Sequence, residues 1–413
     1  MKILLVTRGS QGDIYPYLTI AAALVKRGHK VTLNLPQIFE KEAQAYQLDY
    51  VLQDFDDIQG MVSKAGDKDE GAKPYLKWMR DMIDAQFRQL VPLLKEHDVL
   101  IATNSEFAAA SVADYCGKPF IRTAFAPFIP GRRIPPPIFP YPKPHPVFTP
   151  RLIWKLLNIG NNYMTQKTIN KNRVQLGLKP LKNCGYYSTE RAFNYMLYSR
   201  YLGNTDSEWK YKWDIGGYCF NDALHYDADA YQQLLDFIRR EQRPVIFFTL
   251  GSCSAKESDA FCRRLINVCR QLSFRLIIGS GWSGTGKSLE KEKDIFLLTH
   301  TIPHSLIFPH CNAVMHHGGS GTTHSVARSG KPQIIMPLII DQPYWAYRVQ
   351  QLELGPKCIK IGKVSDRALK EKVNDLVTNP VYRRNATKVA GQMRDEHSVD
   401  NFCNFIESMA DKI

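Results

Sequence analysis

The feature that most narrows the fold of this chain is a rhythm. Short, continuous apolar runs recur along its whole length, each followed by a stretch long enough for a helix. In the first half they fall at residues 3–7, 31–35, 99–102 and 120–123, and in the second at 245–250, 275–278, 295–298, 313–315 and 333–336. Strands that are apolar on both faces belong to parallel sheets covered by helices on both sides. At 413 residues the chain exceeds one ordinary core. It fits two domains of about 200 residues each. The expected class is therefore α/β, with two Rossmann-like doubly wound domains in tandem.

Breaks in the rhythm set the expected boundaries. Residues 127–150 hold ten prolines, which exclude regular helix and central strand and predict an extended loop. The segment 211–221, with its Gly216-Gly217 pair, is expected to connect the domains and to act as their hinge. This divides the chain into 1–218, 219–396 and a last helix at 397–413, whose Phe402, Phe405, Ile406 and Met409 share a helical spacing.

Charge is concentrated rather than spread. The net charge is +14. Residues 115–189 contain no Asp or Glu but twelve Lys and Arg: Lys118, Arg122, Arg132, Arg133, Lys143, Arg151, Lys155, Lys167, Lys171, Arg173, Lys179 and Lys182. Such a field attracts anionic membrane or phosphorylated ligands. Phe139, Tyr141, Phe148, Trp154 and Tyr163 lie in the same stretch. Trp154 and Tyr163 are expected at a lipid headgroup level. A solvated basic face is the simpler alternative. Nucleic acid is not expected, because no recognised binding motif accompanies the charge. No apolar run approaches the roughly 18 residues that span a bilayer. The opening Met1-Lys2-Ile3-Leu4 is charged too early for a signal peptide. Nine cysteines without a C-x-x-C pair point to a reducing, cytoplasmic setting and away from disulfides or zinc.

Three segments carry chemistry. In His316-His317-Gly318-Gly319-Ser320-Gly321-Thr322-Thr323, a strand gives way to a glycine-rich turn and then to a helix. Glycines let the backbone approach an anion, and a helix start offers unpaired N–H groups and positive partial charge. Two hydroxyls and an imidazole add donors. The pattern predicts a diphosphate cradle that needs no metal. Next, Asp341 and Gln342 stand just beyond a strand's carboxyl end, where α/β sheets bind ligands. A carboxylate beside an amide suits the vicinal hydroxyls of a sugar, although a helix start with Pro343 in its first turn explains the same residues. Third, Gly9-Ser10-Gln11-Gly12-Asp13 follows the first strand. Asp13 is placed there either as a general base or as a helix N-cap.

These segments, with Arg27-Gly28-His29-Lys30-Val31-Thr32 and Arg348-Val349, resemble in kind and order the GT-B nucleotide-sugar glycosyltransferases, in the branch of sterol glucosyltransferases and antibiotic glycosyltransferases. The resemblance implies two facing Rossmann-like domains. The N-terminal one would bind the acceptor, and the C-terminal one the nucleotide sugar. The last helix would pack back onto the first domain. It implies inverting, metal-independent transfer of a hexose, glucose from UDP-glucose in the first instance with a dTDP donor as the alternative, to a hydroxyl of a hydrophobic or lipid-like acceptor. Asp13 resembles the family's catalytic base, with Ser10 and Gly12 in its turn. Gly251 and Ser252 resemble the loop on the donor phosphate, and Trp282 the wall near the nucleoside. Ile302 and His304 resemble the segment holding the base. His316, Gly319, Ser320, Gly321 and Thr322 resemble the diphosphate site, and Asp341 and Gln342 the sugar contacts. Gln11 departs from the family, which commonly has Arg there. A sugar-nucleotide epimerase of the same architecture and an inactive ligand-binding relative are the alternatives.

Two patterns are set aside. Gly281-Trp282-Ser283-Gly284-Thr285-Gly286-Lys287-Ser288 spells a P-loop, but only six residues separate it from the next expected strand, too few for a crossover helix. Asp54-x-Asp56, Asp67-x-Asp69 and Asp227-x-Asp229 are two-residue coincidences common in acidic loops, none following an apolar strand in a convincing way, and the His pair has no third ligand at a usual spacing, so no metal site is expected.

Overall fold

The computed structural model describes residues 1–55, 72–138, 148–253, 258–281, 284–286 and 293–410. The first sheet has seven strands: β1 (Lys2–Val6), β2 (Lys30–Leu35), β3 (Asp49–Leu52), β4 (Val99–Thr103), β5 (Phe120–Ala124), β6 (Phe193–Met196) and β7 (Trp213–Ile215). They are all parallel, in the order β3-β2-β1-β4-β5-β6-β7. The second sheet has five: β8 (Val245–Thr249), β9 (Arg275–Gly279), β10 (Ile295–Leu298), β11 (Ala313–His316) and β12 (Gln333–Ile335), parallel in the order β10-β9-β8-β11-β12.

Each sheet buries both faces, as its apolar strands require. Ile3 and Leu5 point into one core with Ile14, Tyr17 and Leu18 of the helix Gln11–Lys26. Leu4 and Val6 point into the opposite core with Trp78, Ile83 and Phe87 of the helix Ala72–Lys95. Period-two alternation therefore serves two helix layers at once. The second domain repeats the scheme. Ile246 and Phe248 pack with Phe261, Leu265 and Leu369, and Val245 and Phe247 with Leu234, Phe237 and Val326. A further apolar cluster joins the domains: Ile129, Met196, Tyr198 and Leu202 meet Ala327, Ile335, Tyr344 and Trp345.

The nine apolar runs of the sequence are all strands. β3, β6 and β7 lack a continuous apolar run (Asp-Tyr-Val-Leu, Phe-Asn-Tyr-Met and Trp-Asp-Ile). They lie toward the two flanks of the first sheet, where burial is less complete and polar residues are tolerated.

Two expectations need correction. The proline-rich loop is shorter than 127–150, because a 28-residue helix, Phe148–Gln175, already contains Pro150. In the first turn of a helix the missing N–H costs nothing. The segment 211–221 is not connector throughout, because it contains β7. A Cβ at Gly216 would overlap the Tyr195 side chain, and one at Gly217 (φ +96°) would press on Ser398 and Glu396. The glycine pair serves close packing.

The helix Ser398–Ala410 lies on the first domain. Phe402, Cys403 and Ile406 enter the core of the helix Gln11–Lys26. Arg27 holds Asp400 at 2.7 Å and Glu407 at 3.0 Å. The apolar contact should dominate, since exposed ion pairs contribute about 0–1 kcal/mol. Phe402→Ala is expected to cost about 3–5 kcal/mol in urea unfolding, and Arg27→Ala far less. Equal effects would show that the ion pairs, not the ring, hold the helix.

Candidate active site

In doubly wound sheets ligands gather beyond the carboxyl ends of the strands, where the strand order reverses. Here those points lie between β1 and β4 and between β8 and β11. The segments singled out in the sequence leave β1, β8, β11 and β12 at these ends.

After β1 the chain turns at Gly9 (φ +135°), where a Cβ would overlap the Asp13 carboxylate. Only a residue without a side chain lets that carboxylate fold back over the turn. Ser10, not Asp13, is the N-cap of the helix Gln11–Lys26. Asp13 Oδ2 accepts bonds from the Ser10 N–H (2.9 Å) and the Ser10 hydroxyl (3.3 Å), as in a capping box. One carboxylate oxygen is thereby engaged. Oδ1 has no bond to a described residue, and Asp13 stays partly exposed. Burial pushes its pKa up to about 6 against the opposing pull of the Ser10 donors. Gln11 donates to the Tyr15 hydroxyl at 2.9 Å.

After β11 the helix Ser320–Arg328 begins with Gly319 as N-cap and no side-chain cap. Its first N–H groups therefore lack the usual side-chain partner. The Ser320 hydroxyl is occupied by the Phe125 carbonyl of the first domain (2.9 Å). Gly321 and Thr322 remain partly exposed. A Cβ at Gly321 would lie 2.7 Å from the Tyr218 hydroxyl and 3.5 Å from the Gly12 Cα. The two glycine-rich helix starts thus meet across the domain boundary. The Tyr218 hydroxyl also donates to the Gly12 carbonyl (3.3 Å).

The two histidines divide the work differently from expectation. His316 is wholly buried. Its Nε2 pairs with Gln333 Oε1 at 2.8 Å, and its Nδ1 accepts from the Gly318 N–H at 3.1 Å. Both ring nitrogens are satisfied inside the protein. The imidazole with a nitrogen to spare is His317, whose buried Nδ1 has no partner among the described residues. Its ring fills the gap between two glycines: a Cβ at Gly251 or at Gly319 would come within 2.5 Å of it. Burial lowers His317 to about 4, with the nearby His304 adding to the shift, so the ring is neutral. The sequence did not separate the two, because side-chain direction past a strand's end is not read from alternation.

Gly251 (φ +61°) turns the chain after β8, with Ser252 beside it. The Gly251 N–H is held by Thr249 Oγ1 at 3.0 Å. Ile302 is buried, and His304 stacks on Phe308 at 4.4 Å. Trp282, and the Lys287 of the P-loop pattern, lie outside the described residues.

After β12, Ile340 takes φ +50°, a strained conformation for a β-branched residue, immediately before Asp341. Trp345 Nε1 donates to Asp341 Oδ2 at 2.8 Å. Burial, with the negative charge of Asp13 adding to it and the Trp345 N–H opposing it, raises Asp341 to about 7. The two carboxylates, one from each domain, share one electrostatic neighbourhood. Gln342 is buried and engaged: its Oε1 accepts from the Leu338 (2.7 Å) and Ile339 (3.0 Å) N–H groups, and its Nε2 donates to Cys253 Sγ (3.3 Å). It shapes the loop that presents Asp341. Tyr344 and Arg348 reach the first domain, at the Asn204 N–H (2.6 Å) and the Leu202 carbonyl (2.8 Å).

Sequence reasoning missed His324. Its Nδ1–H donates to the Ser320 carbonyl at 2.7 Å, and its Nε2 accepts from the Ser199 N–H at 3.1 Å. It stacks on Tyr218 at 4.9 Å and is held neutral by burial, at about 4. It ties the cradle helix to the first domain. A cavity of about 580 Å³ near Arg264, Asp366 and Lys370 holds none of these residues.

Comparison with known proteins follows this geometry. Residues 3–128 match the glycosyltransferase family 28 N-terminal domain. Residues 288–408 match the erythromycin biosynthesis protein CIII-like C-terminal domain. The sterol 3-beta-glucosyltransferase UGT80A2 of Arabidopsis thaliana is 27% identical over 97% of this chain and 64% of its own length. A sterol 3-beta-glucosyltransferase of Candida albicans is 25% identical over 96% of this chain and 27% of its own. The chain thus spans less than two thirds of these relatives. Among solved structures, the glycotransferase of kitacinnamycin superposes with a TM-score of 0.74 at 18% identity, covering 98% of both chains. The calicheamicin glycosyltransferase CalG4 gives 0.74 at 16% identity, covering 100% of this chain and 98% of that one. One family model thus falls on each domain, and the fold is that of the GT-B glycosyltransferases.

Proposed function

We propose that the protein is an inverting, metal-independent glycosyltransferase that moves a hexose, glucose from UDP-glucose as the leading donor, to a hydroxyl of a hydrophobic or lipid-like acceptor. One observation carries the reading: two glycine-rich helix starts, one from each domain, meet face to face with Asp13 on one side and the uncapped cradle on the other. The sterol glucosyltransferase relatives support the donor and acceptor classes. The dTDP complex of the glycosyltransferase VinC, a structure of the same fold, keeps a thymidine donor as the alternative. The nine reduced cysteines support a cytoplasmic setting.

In this reading the diphosphate rests on the start of the helix Ser320–Arg328, near Gly319, Gly321 and Thr322, with Gly251 and Ser252 opposite. His317 donates one bond from its neutral ring. Leaving-group charge is stabilised by the helix end and these donors. Asp341 accepts from sugar hydroxyls, and Ile302 and His304 flank the base. Asp13 takes the proton of the acceptor hydroxyl as its oxygen attacks the anomeric carbon. The new C–O bond forms as the bond to the β-phosphate oxygen breaks from the opposite face. The nucleoside diphosphate leaves with the electron pair, the configuration inverts, and the proton ends on Asp13.

Two measurements test this. UDP binding by calorimetry in EDTA should persist, and His317→Ala should weaken it about ten- to a hundredfold with a smaller fall in Tm than His316→Ala causes. His316→Ala should lower Tm, since that ring belongs to the core. Binding lost only in the His316 variant, at unchanged Tm, would return the donor contact to His316. For the chemistry, Asp13→Asn should lower kcat by about 10²–10⁴ with little change in donor KM. Because the base works ionised and its pKa is raised to about 6, kcat/KM for the acceptor should climb with pH up to about 6 and flatten above it. An Asp13→Asn enzyme with parental kcat would end the assignment.

A further inference from the structure

The helix Phe148–Gln175 is apolar on two faces, and only one is covered. Its inner face contributes Trp154 and Ile169. Trp154, expected at a headgroup level, is instead 4% exposed and donates from Nε1 to the Ile134 carbonyl at 2.8 Å. The outer face carries Leu152 (53% exposed), Leu156 (57%), Ile159 (56%) and Tyr163 (78%). Their spacing of four, three and four residues places them in one stripe along three turns, and Val174 (58%) continues it. A soluble helix normally turns such a stripe inward. Phe139 and Tyr141 lie outside the described residues, as does the side chain of Phe148.

The charges beside the stripe are of one sign. Arg151, Lys155 and Lys167 are exposed and make no ion pair with a described residue. The helix itself contains no carboxylate. Carboxylates from neighbouring elements act toward its far end, where Asp84 holds Lys171 at 3.1 Å and Asn172, and Asp114 holds Arg173 at 2.9 Å. The stripe and its flanking cations therefore face outward together.

We propose that this face docks on an anionic phospholipid bilayer, with Leu152, Leu156, Ile159 and Tyr163 entering the headgroup–acyl boundary and Arg151, Lys155 and Lys167 meeting lipid phosphate. Charge selects this occupant over a second copy of the chain. Two such faces would set cation against cation, whereas an anionic surface neutralises them. The inner ring of Trp154 links the docked helix to Ile134, in the loop that follows β5, and Phe125 at the start of that loop accepts the Ser320 hydroxyl of the cradle helix. The docking face is thus one loop away from the candidate site, yet it stands independently of the proposed reaction.

The test is co-sedimentation of the full chain with phosphatidylcholine vesicles, with and without phosphatidylglycerol, at low and high salt. The parent should sediment with the anionic vesicles. L156S/I159S should weaken binding about tenfold or more at either salt. K155Q/K167Q should weaken it about ten- to thirtyfold at low salt and little at high salt. Both variants alter exposed side chains and should keep the parental Tm and UDP affinity, which separates docking from donor binding. A parent that stays in the supernatant at low salt, or an L156S/I159S protein that binds like the parent, overturns the proposal. So does a concentration-dependent dimer in ultracentrifugation that L156S/I159S abolishes, which would give the face to a second copy.

Discussion

Two helix starts facing one another are an electrostatic problem, and much of the structure follows from how it is met. The helices Gln11–Lys26 and Ser320–Arg328 approach until the Gly12 Cα is 3.5 Å from where a Gly321 side chain would begin. Each end carries about half a positive charge. On one side Asp13 answers with a carboxylate folded into the first turn. On the other, no side chain caps the helix, and on the proposed reading that end receives the donor diphosphate. The contact itself is held by neutral groups: Tyr218 to the Gly12 carbonyl, Ser320 to Phe125, and His324 between Ser199 and Ser320.

Burial then sorts the titratable groups into roles. It pushes the carboxylates of Asp13 and Asp341 upward, to about 6 and 7, and the imidazoles of His304, His316, His317 and His324 down to about 3–4. At neutral pH these rings carry no charge and serve as directional donors or acceptors. Asp13 sits near the value that suits a general base at neutral pH. Gly9 makes this possible on the first-domain side, because any side chain there would displace the carboxylate.

The sequence made the architecture legible where burial was complete. Runs such as Val-Ile-Phe-Phe-Thr and Val-Leu-Ile-Ala-Thr have no stable place outside a covered parallel sheet. It fell short where a strand lay toward a flank, as in β7 with its exposed Asp214. The glycine-rich turn between β11 and the helix that follows it was legible from the sequence. Which of His316 and His317 faces it was not, because that depends on Gln333, seventeen residues on, capturing the first ring. Gln342 read as a sugar contact from its neighbour, yet the Leu338 and Ile339 N–H groups claim its carbonyl. Trp154 read as a surface aromatic because the Ile134 carbonyl that accepts its N–H is remote in sequence.

The Gly12–Gly321 approach has a further consequence. Both sides of it are main chain, so the span between the Asp13 turn and the cradle does not depend on any rotamer. The distance over which a bond would be exchanged is set like the jaw of a fixed gauge. On the proposed reading, the choice of acceptor belongs to the loops beyond β5, which can be rebuilt side chain by side chain without resetting that gauge. Selectivity and reach are thereby written in different parts of the molecule.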